Sequence, residues 1–297
     1  MINLIRLQFR RVSYCGLMFA ALLYLGAARF ENGTYAFLLD RPIVFAISVL
    51  IMATGFAVCL AITLPIMVQI PLLRELRIMP EFLLTWGVLY YGLLMDGIQM
   101  LPDSMEPIAT ISAFVLYWGT VQGPLLDRFD LRLLSKERSS FVTSIDRTDL
   151  WERLRPGRGP IETHWDVLLA DAEIDPVDPA RVFVKYRHGS GTFEHQEITY
   201  LDETPNSHFL YHYRNPVEGS RQALVEGEFE AWLKDLRNGK TRVTIENRRH
   251  AVTPNLAIAM WFDNLERDRV VYARNRMENR WDGTLSGAIR RKVLSFS

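Results

Sequence analysis

Residues 254–281 read PNLAIAMWFDNLERDRVVYARNRMENRW, and the fold of the C-terminal half turns on whether they form two strands or one helix. As a hairpin they give AIAMWF, a polar turn DNLERD, and RVVYARN. As one long helix they place Ile258, Phe262, Leu265 and Met277 near a single face. The β-branched and aromatic content of both arms favours strands, and Asp263-Asn264 between them favours a turn. The hairpin is therefore the first reading and the long helix the second.

Upstream of this stretch the hydrophobic period is two. VLLADAEI, ARVFVKYR, FEHQEITYL and HFLYHYR alternate as strands and are separated by the turn-rich DPVDP, HGSG and DETPN, which predicts an antiparallel meander from Val167 onward. In GEFEAWLKDLRNGK, by contrast, Phe229, Trp232, Leu233 and Leu236 recur at spacings of three, four and seven. Glu230 and Lys234 form an i,i+4 pair, and Gly239 stands where a helix would stop, so a short amphipathic helix is expected. The competing reading is a strand closing into a hairpin at Asn238-Gly239. TRVTIENRRHAVT then alternates as a strand, with Val243 and Ile245 on one face. Nearer the start of this half, SSFVTSID reads as a short strand, and Asp146 or Thr148 is placed to cap a helix over TDLWERL that Pro156 and Gly157 end. TLSGAIRRKVLSF reads as a last short helix.

Ile198, Tyr200, Leu201 and Asp202 form an Ile-x-Tyr-hydrophobic-acidic strand. The expected amphipathic helix follows it, and then Arg248, Arg249, His250, Val252 and Asn255 at a basic strand end. Over about Arg181 to Leu294 this order resembles the LytTR family of bacterial DNA-binding domains. The resemblance implies a mainly-β domain with short helices whose strand ends and loops enter successive major grooves. It assigns the DNA surface to Lys240, Arg242, Arg248, Arg249, His250, Asn255 and Arg274, with a homodimer on DNA as one arrangement. The order Arg-Arg-His, with Pro254 before Asn255, departs from the family pattern and puts the usual strand end in question.

The charge distribution agrees with a polyanion surface. From Ser139 to Leu236 there are 10 Lys and Arg against 18 Asp and Glu, whereas from Arg237 to Ser297 there are 13 against 6. Phosphates supply most non-specific affinity through Lys and Arg, and an Arg facing guanine or an Asn facing adenine supplies specificity. The alternative is a solvated strand end beside acidic neighbours. Both cysteines, Cys15 and Cys59, lie in apolar runs, which excludes a disulfide framework or a cysteine zinc site in the C-terminal half. His208 and His212 lie about 13 Å apart along a strand, too far for one metal. No GxSxG, phosphate-cradling glycine loop, cysteine nucleophile or dinucleotide fingerprint is present, so no enzymatic reaction, cofactor or metal is expected.

The first 126 residues are different in kind. Four stretches, 13–28, 43–70, 82–101 and 108–126, approach the roughly 20 apolar residues that cross a bilayer core. For the first, a cleaved signal peptide is the competing reading. Arg6, Arg10 and Arg11, then Arg74 and Arg77, then Arg128, Arg132, Lys136 and Arg138 mark one side, which places both termini in the cytoplasm of an inner (plasma) membrane protein. Asp96 near the end of the third stretch is either a functional intramembrane carboxylate or, being under two turns from Pro102, a residue at headgroup depth.

The organisation expected is thus a four-helix membrane region (1–126), a basic segment and linker (127–177), and a cytoplasmic LytTR-like domain with its tail (178–297). The function expected is that of a membrane-bound transcription regulator, its signal arriving through the spans or an unknown membrane partner. A second function follows if 254–281 is one helix. The order FVTSIDRTDLWERL, strands, long helix is similar to START-like helix-grip domains, which implies a membrane-anchored module for a lipid or other hydrophobic molecule. An enzyme working in such a cavity, with a Tyr or His as acid or base, is a third. The tail, with Arg290, Arg291 and Lys292 beside Val293, Leu294 and Phe296, is also a candidate contact for anionic lipid headgroups.

Overall fold

The computed structural model describes residues 6–29, 40–121, 133–189, 191–215, 226–237 and 239–295. The chain divides into two units, Met1–Phe129 and Asp130–Ser297. Residues 122–126, Arg128, Arg132, Asn238 and Phe296, all used in the sequence reading, lie outside the described residues.

The first unit contains α1 (Phe9–Arg29), α2 (Pro42–Gln69), α3 (Pro71–Gln99) and α4 (Glu106–Val121). The first three are long and apolar enough to cross a membrane; α4 has 16 described residues, so a fourth span is not established. Pro42 and Pro71 occupy first turns, where the missing N–H costs nothing. Within α3 the turn Glu75–Ile78 is 3₁₀ and Tyr90–Leu94 is a π segment. Ile43, Leu50, Ile51 and Leu72 lie exposed on these helices, as lipid-facing side chains do. Small residues let the helices approach: a Cβ on Gly16 would stand 3.4 Å from that of Ala57, and one on Gly87 would stand 3.1 Å from Leu22. Arg11 is buried and ion-paired to Glu81 at 2.9 Å, joining α1 to α3. Asp96 is paired through both carboxylate oxygens with Arg29 at the end of α1, which accounts for a carboxylate at that position without a transport role.

The second unit is a seven-stranded antiparallel sheet in the order β1-β7-β6-β5-β4-β3-β2. Its strands are β1 (Leu133–Thr143), β2 (Leu169–Ile174), β3 (Arg181–Gly189), β4 (Thr192–Thr204), β5 (His208–Arg214), β6 (Glu226–Asp235) and β7 (Thr241–Val252). The meander expected from Val167 onward forms as β2 to β5. Residues 133–138, read above as part of a basic segment, belong to β1 and pair along β7. Between β1 and β2 lies α5 (Arg147–Leu154), capped by Asp146, whose carboxylate accepts from the Thr148 N–H at 2.8 Å. Three helices follow the sheet: α6 (Pro254–Asp263), α7 (Leu265–Met277) and α8 (Leu285–Ser295).

Two expectations behind the LytTR resemblance are corrected here, and with them the resemblance. Residues 226–235 form strand β6, not an amphipathic helix. Gly227, Phe229, Ala231 and Leu233 are buried while Glu228, Glu230 and Trp232 alternate outward, and two flanking strands supply ladder partners that outweigh a marginal ten-residue helix. The hairpin closes instead near Gly239, whose φ of 71° and N–H bond to Leu236 O make the turn. Residues 254–277, read first as a hairpin, are two helices. Thr253 caps α6, Pro254 fits its first turn, and Asn264, in the left-handed region at φ 48°, separates α6 from α7. Val270, Ala273 and Met277 then fall on one face of α7 and enter the main core, so burial overrides the β-propensity of Val270 and Val271. The resulting order, strand, short helix, six strands, C-terminal helices, follows the second reading, except that its single long helix over 254–281 is broken at Asn264 into α6 and α7.

The core lies on one face of the sheet. Val182, Val184, Ile198, Phe209, Phe229, Ala231, Leu233, Val243 and Ile245 pack there against Leu150, Trp151 and Leu154 of α5 and the buried face of α7. Each large side chain so buried contributes about 1.5–3 kcal/mol.

Candidate functional site

Strand pleating sorts the basic end of β7 onto two faces. Val243, Ile245, Asn247 and Arg249 point to the core face; Arg242, Thr244, Glu246, Arg248 and His250 point away. On the outer face Arg248 donates to Glu246 (2.7 Å), Glu228 (3.0 Å) and Glu230 (3.1 Å), and Lys136 of β1 reaches Glu246 at 3.1 Å. His208 contacts Glu230 at 2.9 Å and His212 contacts Glu226 at 3.2 Å. The hydrogen bonds of Arg248 hold its guanidinium firmly protonated. This is a self-neutralising ladder of charge across β1, β7, β6 and β5.

The residues assigned to DNA are accordingly not gathered into one surface. Lys240 is exposed in the turn before β7 and Arg242 at the strand's start, while His250 is exposed ten residues further on, roughly 33 Å from Lys240 along an extended strand. Arg248 is occupied by three glutamates on the outer face. Arg249 is ion-paired to Glu266 on the inner face and lies 3.0 Å from Met260 Sδ. Asn255 is half-buried in the first turn of α6, and Arg274, on α7, pairs with Glu278 at 3.3 Å. In the tail, Arg290 is spent on Asp166 and Arg291 lies 3.5 Å from Asp282. Among the described residues no group of three His, Cys, Asp or Glu side chains could hold a metal ion.

What the inner face does present is a cavity of about 450 Å³, between the sheet and the C-terminal helices. Aromatic rings of Tyr186, Tyr211, Tyr213 and Phe229 wall it, with Tyr211 stacked on Phe229 at 5.0 Å between ring centroids. Leu256 of α6 and Ile289 and Val293 of α8 line it from the helical side, and Leu256 and Ile289 are themselves exposed. Tyr211 and Tyr213 alternate with polar residues along β5. The period-two burial of β5 puts both on the inner face, but the cavity needs α6 and α8 to close it, and their placement was not legible.

Two sets of hydrogen-bonded polar groups meet at the cavity. In the first, Tyr213 donates to Asn247 Oδ1 at 3.0 Å, Asn247 Nδ2 donates to Glu266 at 3.3 Å, and Glu266 holds Arg249; every member is satisfied. In the second, Asp166 accepts from Arg290 Nε (2.9 Å) and Nη2 (2.6 Å) and from the Leu168 N–H (3.1 Å). Burial alone would raise the Asp166 pKa, but the Arg290 guanidinium holds its carboxyl well below the usual carboxylate range. Arg269 of α7 lies over the Trp165 ring, 4.7 Å from its centroid, with Nη2 3.9 Å from Asp166. Desolvation pushes the Tyr186 and Tyr211 phenols above their ordinary range. Nearby, buried His164 is pushed down to about 4 by desolvation and is neutral near pH 7. Asp268 is pushed up to about 6, also by burial, and accepts from the Leu285 and Ser286 N–H groups at the start of α8.

No family model matches the chain, and no curated protein matches it. Solved structures match part of the chain at low identity. The Mll3558 protein from Rhizobium loti is 13% identical, covering 49% of this chain and 99% of its own, with a TM-score of 0.38. A conserved protein from Geobacillus kaustophilus is 12% identical, covering 49% and 93%, at 0.39. The Zhui aromatase/cyclase from Streptomyces sp. R1128 is 16% identical, covering 54% and 96%, at 0.33.

Proposed function

We propose that the second unit is a START-like, helix-grip binding module for a lipid or other hydrophobic small molecule, anchored at the cytoplasmic face of an inner membrane by the apolar helices of the first. The observation that carries this reading is the aromatic-walled cavity between the sheet and α6 to α8. Its volume of about 450 Å³ lies within the roughly 300–1,000 Å³ of small-molecule sites. Apolar side chains at Leu256 and Ile289 remain exposed beside it, where a hydrophobic ligand would cover them. The element order of the second unit supports the same reading, and the charge ladder of Arg248 removes the basis for a nucleic-acid surface.

The test is saturable binding of a neutral hydrophobic fluorophore, N-phenyl-1-naphthylamine, to the full chain in lipid nanodiscs, with empty nanodiscs as blank. One site per chain is expected, abolished by Ala251→Trp, which fills the cavity from β7. Binding no greater than the blank, or unaffected by Ala251→Trp, would remove the proposal.

A further inference from the structure

Most charged groups lining the cavity are satisfied within the fold. Asp166 is bound through two bonds by Arg290, Arg249 by Glu266, and Glu226 by His212, while Glu194 receives the Gln196 amide at 2.8 Å. Arg269 is the exception. Its guanidinium lines the cavity with five donors yet makes no hydrogen bond among the described residues, and its Nε is buried without a partner. Its nearest carboxylate, Asp166, is 3.9 Å away and already engaged by Arg290.

Two phenols share this condition. Tyr211 is buried and Tyr186 half-buried, both line the same cavity, and neither hydroxyl makes a hydrogen bond among the described residues. Both lie in the electrostatic field of Arg269. A buried donor left open, as the Arg269 Nε is, is uncommon in native folds, because it costs the solvation it has lost. A planar guanidinium fork, with phenol hydroxyls lining the same cavity, matches an oxygen anion. Stacking on Trp165 fixes the fork from one side, so little side-chain entropy is lost when it is engaged.

Resting on the cavity reading above, we infer that Arg269, with Tyr211 and Tyr186, is a subsite for a carboxylate or similar oxyanion at the polar end of the hydrophobic ligand, which makes that ligand an anionic amphiphile. The apolar remainder of the molecule lies along Phe229 and Tyr213 toward Leu256.

The experiment compares matched probes by equilibrium dialysis against the full chain in nanodiscs, with empty nanodiscs as blank. The pairs are 2-naphthoate with 2-naphthamide, and decanoate with decan-1-ol. The acid of each pair is expected to bind at least about tenfold more tightly than its neutral partner, the effect of one charge-assisted contact. Arg269→Gln should abolish that preference, read as the acid-to-neutral ratio within one protein, which a folding defect does not alter. Arg269→Lys, which keeps the charge but loses the fork, should retain part of it. Equal binding of acid and neutral probes by the unmodified chain, or a preference that survives Arg269→Gln, overturns the subsite and leaves the cavity reading standing. Failure of all four probes to bind overturns both.

Discussion

Replacing Arg290 by Met tests how the C-terminal helices are held over the cavity. Arg290 sits on α8 and Asp166 just before β2, 124 residues apart, and their two short hydrogen bonds tie the two elements together with only 12% and 5% of their side chains exposed. Methionine keeps an unbranched apolar stem to pack on Tyr272, where the guanidinium now lies 4.5 Å from the ring centroid, but leaves the Asp166 carboxylate buried with Arg269 as its nearest cation. Removing one partner of a buried pair costs about 3–5 kcal/mol. The pH dependence follows from linkage. In the unmodified chain the Asp166 pKa is depressed, so its contribution is present above the ordinary carboxylate value and is lost as pH falls toward the folded value. Without Arg290, burial dominates and raises that pKa, so the variant regains stability as acid protonates Asp166. The difference between the two proteins should therefore be largest near pH 7 and shrink toward pH 4. Asp166→Asn combined with Arg290→Met should cost less than Arg290→Met alone, since no charge is then stranded. Pulse proteolysis across a urea series, on the full chain in nanodiscs, measures each value. A loss under about 1 kcal/mol, or a difference that does not change with pH, would refute the argument.

Three further outcomes follow from the same physics. His164, neutral and depressed to about 4 by burial, makes the fold lose about 3 kcal/mol as pH falls from 6.5 to 4. His164→Asn keeps an acceptor for the Asp166 N–H, now at 3.1 Å, and should remove that slope from the urea midpoint measured against pH. Gly227→Ala places a Cβ 2.3 Å from Arg248 O and 2.6 Å from the Tyr213 hydroxyl. It should cost about 1–3 kcal/mol and abolish probe binding through displacement of Tyr213; an unchanged midpoint would contradict it. In the helical unit, Glu81→Leu strands the buried Arg11 guanidinium and should lower resistance to denaturing detergent more than Arg11→Met with Glu81→Leu together; equal loss would argue against the pair.

The strands of the meander were legible because their two-residue period is uninterrupted and their turns carry Gly, Pro, Asn or Asp. Strand β6 was not. Its Phe229, Trp232, Leu233 and Leu236 fit a helical spacing by coincidence, and only the ladder partners Tyr211 and Asn247, remote in sequence, select the strand. Helix α7 failed in the opposite direction: its β-branched pair and the Asp-Asn step suggested a turn, whereas Asn264 needs only one left-handed residue to redirect a helix. The membrane-length helices were legible from composition alone, since nothing but lipid or protein can cover runs as apolar as Ile43 to Ile70. Arg269 was not singled out at all, because a lone arginine on a helix carries no signal until Trp165 and the tyrosines are placed around it.

The basic block shows why charge counted along a segment differs from charge presented on a surface. From Arg237 to the end the excess of Lys and Arg is real, yet Arg248 meets Glu228 and Glu230, which come from the preceding acidic stretch, and Arg290 meets Asp166 from the same stretch. An antiparallel sheet brings the two blocks side by side, so their opposite imbalances neutralise each other across β6 and β7 and across the α8 contact. Strand pleating then divides what remains, sending Arg248 outward and Arg249 inward from adjacent positions. A run such as RRH on a strand therefore delivers its charges to opposite faces, and on this sheet neither face keeps enough of them to hold a duplex phosphate backbone. Of the arginines that line the cavity, Arg269 is the one with no hydrogen bond among the described residues, which suits one oxyanion on a small ligand.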